Sequence, residues 1–290
     1  MRKFTIFASI LIFNCGLAIA QNNAEENYIE TLKKYSQYSE KEYTSIPDFG
    51  YQSDTSIDLI KLRQKYNLDS IADNVDELSQ IINLMKWTHT SVPHSPTIAG
   101  DFPKCMSALC LIDYCKTNDT GLPCYLISLV QNDVYLSMGF KSKYVFCLPD
   151  EKEISDNHVI NIVYSRTLKK WIWMDPTFEV YMMDSNNNLL DVSQVRQRMI
   201  DNKNLTVSDG FNENGKPEGG SVWYLKYMSK NLFRFIIPIR SQSDYESSNM
   251  PSYIELLPLG YNAENVPLGE KTDKGTGYKY YIDNEKQFWK

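Results

Sequence analysis

At Gly139 the chain changes hydrophobic period. Before it, apolar residues recur at helical spacing: Ile57, Leu59, Ile60 and Leu62, then Leu78, Ile81, Ile82 and Met85. Helices are predicted over Ile57–Tyr66, Val75–Thr90, Met106–Lys116 and Cys124–Met138, with Gly139 in the left-handed cap position of the last. A further helix is expected near Glu25–Gln37. After Gly139 the period falls to two, and Ser142–Leu148, His158–Tyr164 and Lys170–Asp175 read as strands. Asp191 or Ser193 caps a short helix through Ile200. Asp209–Gly220 reads as a loop, followed by strand-like runs at Leu232–Ile239, Ser252–Leu257 and Tyr278–Tyr281. Helices first and an antiparallel sheet after them is an α+β layout. An apolar fraction of 42% over 290 residues supports a buried core and excludes whole-chain disorder.

The N-terminus reads as an address. Arg2 and Lys3 precede an apolar run from Thr5 to Ile19, and Ala18-Ile19-Ala20 places small residues at a cleavage site before Gln21. Residues 1–20 are therefore expected to be a signal peptide, giving an exported, periplasmic or extracellular protein. A lipid anchor at Cys15 is the alternative. No other apolar run is long enough to span a membrane. Removing residues 1–20 takes away two basic and no acidic residues, leaving 28 basic against 36 acidic, a net charge of −8. That acidity argues against a nucleic-acid partner.

The mature chain keeps five cysteines: Cys105, Cys110, Cys115, Cys124 and Cys147. An odd number leaves at least one thiol free. There is no C-x-x-C pair, so no metal site and no cofactor is expected. Cys105, Cys110 and Cys115 recur every five residues along a stretch that reads as helical from Lys104 to Lys116, which spreads them around it and points to buried packing.

Cys124 has the most informative surroundings. Gly121-Leu122-Pro123 gives an extended approach, and a helix begins at the cysteine. Unpaired backbone N–H groups and the positive end of the helix dipole favour a thiolate there. The same N–H groups can stabilise an oxyanion. The alternative is a small buried residue at a helix start. His158 and Asp175 bear on the choice. If the polar stretch Ser165–Leu168 forms a symmetric turn, Ile162 faces Trp171 and His158 lies directly opposite Asp175. Directly opposed side chains are about 5 Å apart. A one-residue slip would put them on opposite faces. Thiol, imidazole and carboxylate are the groups that acyl transfer needs: a nucleophile, a proton carrier and a residue that orients the carrier.

Three blocks together resemble the transglutaminase-like superfamily of papain-like cysteine enzymes, as a secreted bacterial-type member, over Ile81 to Asn202. They are Gly121-Leu-Pro-Cys124 with the following helix and Met138-Gly139-Phe140; Ser155-Asp-Asn-His158-Val-Ile-Asn161; and Lys170-Trp-Ile-Trp-Met-Asp175-Pro-Thr-Phe178. The resemblance implies a papain/transglutaminase-like core in which the nucleophile helix packs on an antiparallel sheet. It implies Cys124 as nucleophile, His158 as acid/base and Asp175 as the orienting residue. On this basis residues 21–75 are an N-terminal helical extension, 76–205 the catalytic core and 206–290 a β-rich C-terminal extension. His94, Tyr125 and Trp87 are candidate substrate-binding residues, with core packing the alternative for Trp87.

The expected function is cysteine-dependent acyl transfer on peptide or glutamine amides, with a protein or peptide as substrate. Hydrolysis and amine transfer share every step through the thioester and stay open. The competing expectation is a catalytically silent module of the same fold that binds peptide or carbohydrate, prompted by the many tyrosines and the tail Tyr278–Trp289.

Overall fold

A computed structural model describes residues 27–98, 100–150, 156–216, 220–261, 266–275 and 277–290. The expected signal peptide and Cys15 lie outside them. Among the described residues no helix is long and apolar enough to cross a membrane.

The first half is helical: α1 over 27–34, α2 Ile57–Lys65, α3 Leu68–Ala72, α4 Glu77–Ser91, α5 Ala108–Asn118 and α6 Cys124–Ser137. A two-residue strand, β1 Gly50–Tyr51, lies between α1 and α2. Asp76 caps α4 by accepting from Leu78 N and Ser79 N. Gly139 ends α6 with φ +77°, the left-handed conformation its position requires. The chain then forms β2 Ser142–Leu148, β3 His158–Ser165, β4 Lys170–Asp175 and β5 Val180–Met183. A capping box between Asp191 and Gln194 starts α7 Val192–Ile200. Next come β6 Thr206–Val207, α8 Gly220–Asn231, β7 Arg234–Pro238, β8 Arg240–Ser241, β9 Ser252–Leu256, β10 Lys271–Asp273, β11 Tyr278–Ile282 and α9 Glu285–Phe288.

Nine strands form one sheet in the order β10-β11-β9-β7-β2-β3-β4-β5-β6. The strands after α8 therefore extend the same sheet that carries β2–β4. The expectation of a purely antiparallel sheet needs correcting: β9 and β11 are parallel. The long connection after β9 brings the chain back to the same end before β11 begins, which a parallel pair requires.

Alternation along β3 sends side chains to two cores. Val159 and Val163 join Ile172 and Met174 against α4 and α6, where Leu84, Met85, Leu126 and Val130 meet them. Ile160, Ile162 and Trp173 join the opposite core with Val195 of α7, Tyr224 and Met228 of α8 and Phe288 of α9. The tail joins this core through Ile282 and Phe288, and Trp289 O accepts from Trp171 Nε1 at 2.7 Å. Tyr278, Tyr280 and Trp289 of the tail are half-buried.

Every residue from Leu126 to Ser137 is buried, so α6 runs through the middle of the molecule. The Gln131 amide has no partner there, whereas other polar groups do. Ser128 Oγ donates to Val159 O and Asn161 Nδ2 donates to Ser128 O, both at 3.0 Å. These two bonds fix α6 along β3, one turn from Cys124.

Candidate active site

Cys124 is the first residue of α6. Pro123 before it is extended (φ −67°, ψ 158°), and no side chain caps the helix start. The approach is tied to the loop after α4: Leu122 N donates to Pro93 O at 2.8 Å and Ser95 N to Leu122 O at 2.9 Å. Gly121 makes this contact possible. A Cβ there would lie 2.5 Å from Pro93 O and 2.8 Å from His94 C.

His158 begins β3 and Asp175 ends β4. The register differs from the symmetric turn expected from sequence. Ile162 pairs with Trp173 and Ser165 with Lys170. The turn is Arg166–Lys169, with Lys169 at φ +54°, and the pairing is displaced by two residues. A shift of two preserves the face, so His158 and Asp175 stay together as diagonal rather than direct neighbours. His158 Nε2 donates to Asp175 Oδ2 at 2.6 Å, and both side chains are buried. Cys124 lies near enough to the same ring to favour its charged form. With Nε2 occupied by Asp175, Nδ1 is the nitrogen left for the sulfur.

Glu77, at the start of α4, holds the turn in this register. Its carboxylate accepts from Thr167 N at 2.8 Å, Arg166 N at 3.2 Å, Ser165 Oγ at 3.0 Å and Arg166 Nε at 3.0 Å. Burial opposes that charge, but the surrounding donors outweigh it and hold Glu77 at about 2.

Burial likewise opposes the His158 imidazolium. The Asp175 carboxylate and Cys124 outweigh it and push the ring up to about 10. The other free thiols of the described residues are buried. Burial pushes Cys115 up to about 11. Burial, with Asp175 and Cys124 nearby, pushes Cys147 well above the ordinary range. Cys124 alone of these three is half-exposed.

Two cysteines depart from the packing expectation. Cys105 and Cys110 form a disulfide, with Cα atoms 5.8 Å apart. The helix begins only at Ala108, so Cys105 lies on the chain before it and can turn back to Cys110.

The structure brings His94 to the site's edge. It pairs with Leu122, and its ring centroid is 6.0 Å from that of Phe178, which in turn lies 5.4 Å from His158. His94 Nδ1 is 2.7 Å from Glu213 Oε1. His89, the remaining histidine, is a strut: its nitrogens meet Pro176 O at 3.0 Å and Asn212 Oδ1 at 2.6 Å. Tyr125 packs on Phe146 at 5.2 Å, and burial followed by the Glu246 charge pushes its phenol up. The Trp87 ring, partly buried against the helical core, packs on Tyr66 at 5.2 Å. Among the described residues no group of three His, Cys, Asp or Glu could hold a metal.

Sequence reasoning misses α8, which supplies the wall behind the histidine. Tyr224 OH donates to Asp175 Oδ2 at 2.7 Å. Tyr227 sets its edge against the His158 ring at 5.5 Å, and Trp223 stacks on Tyr227 at 5.1 Å. The signal was present as Trp223, Tyr224, Tyr227 and Met228 at helical spacing, directly after the glycine-rich stretch read as loop.

No known protein family matches this chain, and no curated protein matches it. Among solved structures it is similar to a candidate cysteine protease from Cytophaga hutchinsonii, with 15% identity and a TM-score of 0.32 over 52% of this chain and 49% of that one. It is also similar to the Rad4–Rad23 complex bound to a 6-4 photoproduct UV lesion, with 9% identity and a TM-score of 0.24 over 64% of this chain and 43% of that one. The chain spans about half the length of the first and less of the second. Likenesses this remote do not bear on the chemistry.

Proposed function

We propose that this protein is an exported cysteine enzyme that transfers acyl groups from peptide or glutamine amides. Its core would be of the papain/transglutaminase-like type, with α6 as the nucleophile helix. The observation that carries the reading is a half-exposed thiol at the first turn of α6, close to an imidazole that donates to a buried carboxylate. The order of roles in the chain is Cys124, His158, Asp175.

In the proposed reaction the Cys124 thiolate attacks the amide carbonyl carbon. A C–S bond forms, and the oxygen takes the negative charge near the backbone N–H groups of the first turn of α6. The intermediate collapses: the C–N bond breaks and the amine leaves with the proton of the His158 imidazolium. Asp175 holds the ring in the tautomer this requires. Water or a primary amine then attacks the thioester, the ring takes its proton, and the C–S bond breaks to give an acid or a new amide.

Export is supported by the expected signal peptide and by the Cys105–Cys110 disulfide, a bond characteristic of oxidising compartments.

Incubation with glutamine-containing peptides and a labelled primary amine tests the reading. Labelled peptide indicates transfer and free acid indicates hydrolysis. Either product is expected, and Cys124→Ala should remove it. Neither product across peptide and glutamine amides would contradict the proposal.

A further inference from the structure

Asp175 is fully buried and accepts three hydrogen bonds. His158 Nε2 and Tyr224 OH both reach Oδ2, at 2.6 and 2.7 Å, and Thr177 N reaches Oδ1 at 3.0 Å. Tyr224 is itself fully buried, and its oxygen accepts from Trp173 Nε1 at 3.1 Å. An indole N–H can only donate. With that donor on its oxygen, the single phenolic hydrogen of Tyr224 is directed at the carboxylate. The chain of bonds therefore has a fixed direction, from indole to phenol to carboxylate, where the imidazole N–H arrives from the other side. Burial, followed by the neighbouring Asp175 charge, pushes the Tyr224 phenol well above its ordinary range, so it stays a donor.

We infer that Tyr224 is a positioning residue that acts through Asp175: its hydroxyl, oriented by Trp173, keeps the carboxylate Oδ2 aimed at His158. This rests on the acyl-transfer reading, and it assigns a part in that chemistry to α8, nearly fifty residues beyond Asp175. A buried carboxylate is held in place by its donors. With the phenol gone, Asp175 loses one of three donors and its hold on the imidazole ring slackens. The imidazolium beside Cys124 then loses part of its support, and the acid limb of Cys124 reactivity should move to higher pH. Other titratable groups near this pair are Cys147 from β2 and Tyr227 from α8, and both are held protonated by burial.

The experiment is the rate of Cys124 alkylation by iodoacetamide through the acid range, which needs no substrate. The wild-type rate should stay high well into acid. In Tyr224→Phe the acid limb should move up by about one pH unit, roughly a tenfold loss of rate on the limb, with the rate near neutrality retained. A purely structural role would lower the melting temperature and leave the limb in place. Trp173→Phe should give a smaller shift in the same direction. If Tyr224→Phe does not fold, 3-fluorotyrosine placed at 224 keeps the shape and makes a stronger donor, and the limb should move down. A limb that stays at its wild-type position in these proteins overturns the inference while leaving the acyl-transfer reading intact. A wild-type Cys124 with no acid-range reactivity overturns both.

Discussion

Cys124 is placed by its immediate neighbours, whereas His158 is placed by parts of the chain far from it. At the cysteine, Pro123 sets the extended approach, Gly121 admits the adjoining loop and α6 starts at once. At the histidine, Glu77 of α4 fixes the β3–β4 turn, Ser128 and Asn161 join β3 to α6, and α8 closes the site with Tyr224 and Tyr227. A nucleophile can be marked by a short local motif. Its proton carrier depends on tertiary packing, and damage to the two ends should look different.

The largest effects come from removing the reacting groups. Cys124→Ala should abolish turnover, and His158→Asn should reduce it by roughly 10²–10⁴-fold, in proteins whose circular dichroism is unchanged. A folded Cys124→Ala protein with residual turnover would mean that the helix end is not where bonds are made.

Gly121→Ala tests the local end. Its methyl group would be forced against Pro93 O and His94, and overpacking of this kind costs about 1–3 kcal/mol. Urea unfolding should show that loss, and turnover should fall with it because the strand leading to Cys124 must move.

Glu77→Ala tests the distant end. Removing a carboxylate that accepts two backbone N–H groups and the Ser165 hydroxyl should cost about 2 kcal/mol. Because Glu77 is held low, its contribution is complete above its ordinary value near 4.5 and is lost as pH falls toward about 2. The stability gap between wild type and Glu77→Ala should therefore close in acid. A gap that persists there would show that the clamp does not depend on charge.

The smallest effect serves as the control. Asp191→Ala removes the capping box of α7, away from both ends, and should cost about 1 kcal/mol in thermal unfolding with turnover unchanged.

The same contrast explains what the sequence alone makes legible. The limits of α6, its stop at Gly139, the strand β2 and the Asp191 cap follow from local periodicity and capping, and the structure has them in place. The face shared by His158 and Asp175 is also legible, because parity along a strand survives a two-residue shift. The register is not, since the turn that carries it is held by Glu77, 88 residues before Ser165. Helix α8 is hidden because Asp209–Gly220 looks like the start of a longer loop, and the parallel β9–β11 pair depends on a long connection without local marks. Cys105 escapes recognition as a disulfide partner because the stretch from Lys104 reads as helical, whereas the helix starts only at Ala108.

The rate at which iodoacetamide modifies Cys124 at pH 6, located by mass spectrometry and compared with free cysteine, bears most directly on the proposed site. Free cysteine is almost wholly protonated at that pH. A thiolate held beside the His158 imidazolium should react at least about tenfold faster, with buried Cys115 and Cys147 unmodified in the same sample, and His158→Asn should remove the excess. A Cys124 that reacts no faster than free cysteine, or just as fast without the imidazole, would contradict it.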